Sequence, residues 1–252
     1  MRLHRRSINF STACVVALCA ITSLALGQGF ERTALDEYVA EPDSNYKYSV
    51  VVDEQMDGFR HVVVDMVSQK WLTKKEVNKP IWRHWLVMAI PDEVTSNRGL
   101  LYISGGDNED GIPGTNQLTS LMATSTNTVA AELRMVPNQP LTFKGDGKPR
   151  KEDSTIAFTW DKFLRTGDEK WPLRLPMTKA AVRAMDTITA VTAGLDGGGP
   201  TVDEFVVAGG SKRGWTTWTT AAVDSRVIAI IPIVIDMLNI SPSFQHLLEA
   251  YG

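Results

Sequence analysis

The chain has 252 residues, 26 Lys and Arg against 29 Asp and Glu, and 43% hydrophobic residues. That length and apolar content suit one α/β domain or two small ones. Seven Trp and twelve Pro exclude a coiled coil, collagen or a disordered chain, and a net charge of −3 supplies no basic field for nucleic acid.

Residues 1–27 read as a secretory signal peptide. Arg2, Arg5 and Arg6 precede an apolar run from Ala13 to Leu26, and Ala25-Leu26-Gly27 places small residues at −3 and −1 of a cut before Gln28. A membrane anchor would need about 20 apolar residues. Leu18 before Cys19 is too large for a lipid-attachment site. The protein is therefore expected to be exported to the periplasm or beyond, with no membrane association after cleavage. Cys14 and Cys19 leave with the signal, so residues 28–252 hold no disulfide and no thiolate metal site. They carry 23 basic and 29 acidic residues, net −6.

Residues 28–45 read as a polar lead-in. Tyr46 to Val52 and Phe59 to Val67 are β-rich and flank Asp57-Gly58, a hairpin signal. Trp82 to Ile90 is a third strand, stopped at Pro91-Asp92. Gly99 to Ser104 is a short buried strand leading into Gly105-Gly106. Thr115 to Ser125 predicts a helix, and Ala131 to Val136 a strand closed by Pro137. Residues 138–175, rich in Pro, Gly and charge, read as an excursion over the sheet with one helix near Ser154 to Leu164. Ala181, Met185, Ile188 and Thr192 share one face of a helix over Thr178 to Thr192. Leu195 to Pro200 is a glycine turn. Glu204 to Ala208 predicts a strand, Lys212 to Val223 a helix, and Val227 to Ile235 a wholly apolar strand. From Asn239 the chain is polar. Hairpins first and strand–helix alternation later predict an α/β fold. Its sheet is mostly parallel, with helices on both faces and an antiparallel N-terminal edge.

The strongest local signal is Phe205-Val-Val-Ala-Gly-Gly-Ser-Lys-Arg-Gly-Trp215. A buried strand ends in two glycines, Ser211 follows, and a helix starts at once, the layout of a nucleophile elbow. Such a turn would lift the Ser211 hydroxyl clear of the sheet and aim the Lys212 N–H at a developing oxyanion. The pattern departs from G-x-S-x-G, since Arg213 occupies +2 and glycine arrives only at Gly214. The same residues also suit a plain strand-to-helix turn with Ser211 as N-cap.

Gly105-Gly106, after its own strand, is the counterpart of the glycine-rich loop that supplies a second oxyanion donor; an ordinary strand-end loop reads the same way. Lys212 and Arg213 are cations at a helix N-terminus, where they oppose the macrodipole. Either Arg213 meets an anionic group of a substrate, or the pair reaches solvent or an acid such as Asp224. Gly210-Ser211-Lys212 reverses the order a P-loop needs, and Gly197-Gly198-Gly199 precedes a strand, so no nucleotide cofactor is expected. The residues around Asn108, Asp110 and Gly111 fail as an EF-hand, and the histidines His4, His61, His84 and His246 lack metal spacing, so no metal is expected.

The segments SKRGWTTW, PNQPLTF, WDKFL, LPMTKAAVRAMD and IPIVIDMLN resemble the PhoPQ-activated pathogenicity-related proteins from about Thr33 onward. The resemblance implies an exported α/β-hydrolase-like protein of poorly defined activity, with the serine of SKRG at Ser211. A serine, then a cation, with glycine at +3 is also similar to the glucuronoyl esterases.

In the hydrolase order an acid and a histidine follow the serine. Only His246 does so here, too soon after the strand ending at Ile235 to serve as base. Asp236 is the candidate acid, with a structural role as the alternative. Family members are longer, so the chain reads as the N-terminal part of one α/β-hydrolase-like domain, incomplete at its C-terminus. The expected function is an exported serine-hydrolase-like esterase. Its substrate would be a small-molecule or carbohydrate-type ester carrying an acidic group, and its base is absent from this chain. The alternative is a non-catalytic binding or signalling protein on the same scaffold, because fold does not fix function.

Overall fold

A computed structural model describes residues 31–195, 199–235 and 239–251. The signal segment therefore lies outside the described residues, as do Asp236 and the middle of the Leu195–Pro200 turn.

The first element is a helix, α1 (Ala34–Ala40), within the stretch that reads in sequence only as a polar lead-in. Tertiary contact explains it. The buried Lys179 reaches across to its end and donates to the carbonyls of Tyr38 at 3.0 Å and Glu41 at 2.6 Å, groups that a short helix leaves unsatisfied.

The strands β1 (Lys47–Gln55) and β2 (Phe59–Lys70) form the expected hairpin around Asp57-Gly58, with Gly58 at φ 80°. Next come β3 (Ile81–Pro91), β4 (Arg98–Ile103), α2 (Gln117–Thr126) and β5 (Val129–Leu133). The excursion carries a two-stranded ribbon, β6 (Leu141–Thr142) and β7 (Pro149–Arg150), and α3 (Glu152–Thr166). Aromatic rings pin this excursion to the body. Trp71 packs edge-on against Trp82 and Phe143, and Phe143 stacks on Phe158 at 4.5 Å. Such pairs add about 0.5–1.5 kcal/mol each beyond the apolar area they bury.

Helix α4 (Arg174–Ala193) starts four residues before the expected Thr178. Pro176 does not prevent this, because it falls in the first turn, where the amide has no helical acceptor. Then follow β8 (Glu204–Gly210), α5 (Lys212–Val223), β9 (Val227–Ile233) and α6 (Ile240–Tyr251). The last helix replaces the polar tail expected after Asn239. Phe244, Leu247, Leu248 and Tyr251 recur at helical spacing among its polar residues, and all four are exposed.

The seven-stranded sheet runs β1-β2-β3-β5-β4-β8-β9. Strands β5, β4, β8 and β9 are mutually parallel, while β1 to β3 form the antiparallel side. Alternation along β5 divides the two faces. Ala130 packs with Ala123 of α2 on one side; Ala131 packs with Leu101 and with Met177, Ala181 and Met185 of α4 on the other. Helices thus cover both faces, as the apolar character of the central strands requires. Among the described residues no helix is long and apolar enough to cross a membrane.

Candidate active site

Strand β8 ends at Gly210 and helix α5 begins at Lys212, so Ser211 is the single residue of the turn. Its backbone sits at φ 55°, ψ −123°, a conformation that costs a residue with a side chain on the order of 1–3 kcal/mol. The turn is held from both sides: Ser211 N donates to Ile233 O at 2.8 Å, and Trp215 N donates to Ser211 O at 3.1 Å. The serine is exposed, and its hydroxyl makes no capping bond to the helix it precedes. The sequence left elbow and N-cap open; the geometry is that of the elbow.

Small residues permit this turn where space is tight. A Cβ on Gly209 would stand 2.7 Å from Arg213 O, and one on Gly214 would stand 2.9 Å from Gly209 O. Gly210 meets no such obstacle.

The Gly105-Gly106 loop lies beside the elbow. β4 and β8 are parallel neighbours with Ile103 opposite Gly209, so both chains leave the sheet at the same carboxyl edge. A Cβ on Gly105 would come within 2.6 Å of Arg213 Nη2, and Gly106 adopts φ 145°. Open α/β sheets place their sites at such carboxyl edges. The fold thus brings Gly105, Gly106, Ser211, Lys212 and Arg213 together.

The two cations of the elbow turn inward. Arg213 donates from Nη1 and Nη2 to the two carboxylate oxygens of Glu152 at 2.9 and 2.7 Å, and from Nε to Val136 O at 2.6 Å. Lys212 Nζ lies 2.5 Å from Glu152 Oε2 and 3.2 Å from Asp153 Oδ1. Burial works to raise the Glu152 carboxyl, but hydrogen bonds from Arg213, Lys212 and Gln139 outweigh it and hold its pKa down to about 2. The substrate anion expected at Arg213 therefore finds all three nitrogens of that guanidinium already bonded within the protein. Asp224, the other expected partner, pairs with Arg226 at 2.6 Å.

The described histidines are no closer to forming a triad. His84 on β3 is fully buried: Nδ1 donates to Arg134 O at 3.1 Å, and Nε2 accepts from Ser68 Oγ at 3.0 Å. Burial pushes its pKa down to about 4, against hydrogen bonds at Arg134 and Met135 that act the other way. His61 is buried on β2, and His246 stands exposed on α6. Asp236, the candidate acid, lies outside the described residues. Among the described residues no group of three His, Cys, Asp or Glu is arranged to hold a metal.

Sequence reading did not find Glu152, Gln139 or Arg174. The signal available for Gln139 was its place between two prolines in PNQP; Glu152 and Arg174 carry none, since their partners are distant in the chain.

A parallel strand ending in glycines, an exposed serine at positive φ and a helix starting at the next residue define an α/β-hydrolase-like protein with a nucleophile-elbow turn. The chain belongs to the family described as PhoPQ-activated pathogenicity-related protein, which residues 35–252 match. It is 38% identical over 238 residues to autocrine proliferation repressor protein A of Dictyostelium discoideum, covering 93% of this chain. The chain spans about half, 47%, of that relative's length. Solved structures of related shape include a glucuronoyl esterase from Solibacter usitatus, 14% identical with a TM-score of 0.49 over 79% of this chain and 56% of that one. An acetyl xylan esterase from Paenibacillus sp. R4 is 13% identical, with a TM-score of 0.49 over 88% and 64%.

Proposed function

We propose that this exported chain supplies the nucleophile and oxyanion side of a serine-esterase site, acting on a small-molecule or carbohydrate-type ester. The observation that carries the reading is Ser211 itself, exposed and strained at φ 55° with no capping bond to account for it. In this reading Ser211 Oγ attacks the ester carbonyl carbon and yields its proton to a base, the alcohol leaves, and water then releases the acyl group. The N–H of Lys212 and the Gly105-Gly106 loop face the oxyanion. With Arg213 bonded to Glu152, the proposal requires no acidic group on the substrate.

The general base is sought outside the residues described, because His84 has both ring nitrogens bonded, His61 is buried on β2, and His246 on α6 follows the last strand too closely in the chain for the base of the hydrolase order. A serine hydroxyl without an adjacent base is a weak nucleophile, so this chain by itself is expected to show no ester turnover. A second reading, a non-catalytic exported signalling protein on the same scaffold, is supported by the name of the Dictyostelium relative, a proliferation repressor.

Chemical rescue separates the two. The chain is treated with p-nitrophenyl acetate with and without imidazole as an external base, and Ser211-containing peptides are weighed. Imidazole-dependent acetylation of Ser211, absent in Ser211→Ala, supports the esterase reading. Acetyl groups confined to surface lysines would favour the non-catalytic one.

A further inference from the structure

We propose that Glu152 is a positioning residue that holds the Ser211 elbow against the Gly105-Gly106 loop. The inference rests on the reading of those two segments as the reacting centre.

Glu152 opens α3, on an excursion remote in sequence from both segments, yet its carboxylate is the meeting point of the site. Oε1 accepts from Arg213 Nη2 and from Gln139 Nε2 at 2.7 Å each, while Oε2 accepts from Arg213 Nη1 and Lys212 Nζ. Gln139 carries the connection to the loop. Its Nε2 also donates to Gly106 O at 3.0 Å, and its Oε1 accepts from the Glu152 amide at 2.9 Å. A second route runs in parallel. Arg213 Nε donates to Val136 O, Val136 N donates to Ser104 O at 3.1 Å, and Met135 N donates to Gly105 O at 2.8 Å. The segment 135–139 is thus a strap between loop and elbow, and Glu152 is its buckle.

Two observations separate this from an ordinary turn. Glu152 adopts φ 52°, a left-handed conformation in which glycine would be unstrained. The position therefore bears backbone strain while presenting a carboxylate, as functional constellations held by their surroundings do. The charges require that carboxylate as well. Lys212 and Arg213 are adjacent cations at a helix N-terminus, and the guanidinium of Arg174 lies behind them, with Nη1 donating to Lys212 O at 2.5 Å. Without Glu152, Arg213 keeps only Val136 O and Lys212 only the exposed Asp153, and cations that repel one another are left at a helix N-terminus. The turn this loosens includes Lys212, whose amide is the proposed oxyanion donor.

The test is amide hydrogen exchange by NMR on the chain and on Glu152→Gln and Glu152→Gly. Gln keeps the size and removes the charge, whereas Gly relieves the backbone and removes the whole side chain. Exchange at Met135, Val136, Ser211 and Trp215, whose amides bind across the strap and the elbow, is expected to accelerate at least tenfold in both variants. Amides of β2 and β3 are expected to keep their wild-type rates. Unchanged exchange at those four amides in Glu152→Gln overturns the proposal. So does uniform acceleration throughout the chain, which would mean that Glu152 only adds global stability. A Glu152→Gly variant indistinguishable from wild type would reduce the residue to a turn. If Glu152→Gly does not fold, Glu152→Gln decides alone. The measurement needs no reactivity at Ser211, so failure of the esterase reading, seen in the acetylation experiment, is distinguishable from failure here.

Discussion

The guanidinium of Arg174 lies over Trp215, with its Cζ 4.2 Å from the ring centroid, so helix α4 supports the elbow helix α5 through a buried cation. Arg174 is 6% exposed, and among the described residues no carboxylate forms an ion pair with it and its Nε and Nη2 have no hydrogen-bond partner. Burial, followed by the neighbouring charge of Arg213, pushes its pKa down to about 9. A cation–π contact and one good hydrogen bond return only part of what removing such a charge from water costs.

Replacing Arg174 with methionine, which keeps the length and the contact with Trp215, is accordingly expected to stabilise the chain by about 1–3 kcal/mol. Urea denaturation checks this. A lower midpoint in Arg174→Met would show that the bond to Lys212 O is worth more than the buried charge costs.

Substitutions at Ser211 separate elbow from cap by stability alone. A capping serine would lose about 1 kcal/mol on conversion to alanine. Ser211 makes no capping bond, so Ser211→Ala is expected to change stability by less than about 0.5 kcal/mol. Ser211→Gly, which suits φ 55°, should raise it by about 1 kcal/mol. Thermal unfolding of the three proteins gives the order; alanine well below wild type would speak for a cap.

His84 gives the fold an acid sensitivity that sets in before its carboxylates titrate. Its folded pKa, about 4, lies below the ordinary value of 6.5. As pH falls through that window the unfolded chain takes up a proton that the folded chain refuses. Stability is full above pH 6.5 and declines toward pH 4, by about 3 kcal/mol in all. Glu152, also held low, adds a loss of the same sign only below its ordinary 4.5. An NMR titration of the His84 ring should show a midpoint well under 6.5, and denaturation midpoints should fall between pH 6.5 and 5. A His84 midpoint near 6.5 would remove the basis for the effect.

Strand β9 and helix α6 leave apolar side chains uncovered. Ile228, Ile231 and Ile233 are between 42% and 49% exposed, Val234 is 84% exposed, and Leu248 is 68% exposed. Exposed apolar edge strands associate with other chains. The isolated chain is expected to self-associate at micromolar concentration, and Ile231→Lys combined with Leu248→Lys should shift it toward monomer. Light scattering across a dilution series measures this; a wild-type chain that stays monomeric throughout would count against it.

The sequence by itself determined the features that arise from neighbouring residues. β-rich or apolar runs bounded by turn residues marked β2, β3 and β8, helical spacing marked α4, and Gly209-Gly210-Ser211 between a buried strand and a helix marked the elbow. Even the apolar stripe of α6 was present in the sequence at Phe244, Leu247, Leu248 and Tyr251, although the polar residues between them hid it. Tertiary structure decided what the elbow touches. Lys212 and Arg213 could have faced an anionic ligand, Asp224 or solvent, and nothing local distinguishes these. Their partner is Glu152, 61 positions before Arg213, because the excursion over residues 138–175 is pinned by Trp71, Trp82 and Phe143 so that the start of α3 falls beside α5. The early start of α4, the buried Arg174 over Trp215 and the β5-β4-β8 strand order belong to the same class. Local periodicity follows from bond geometry and side-chain direction within one turn or one pleat. Which charges meet depends on loop closures and packing that involve the whole chain at once.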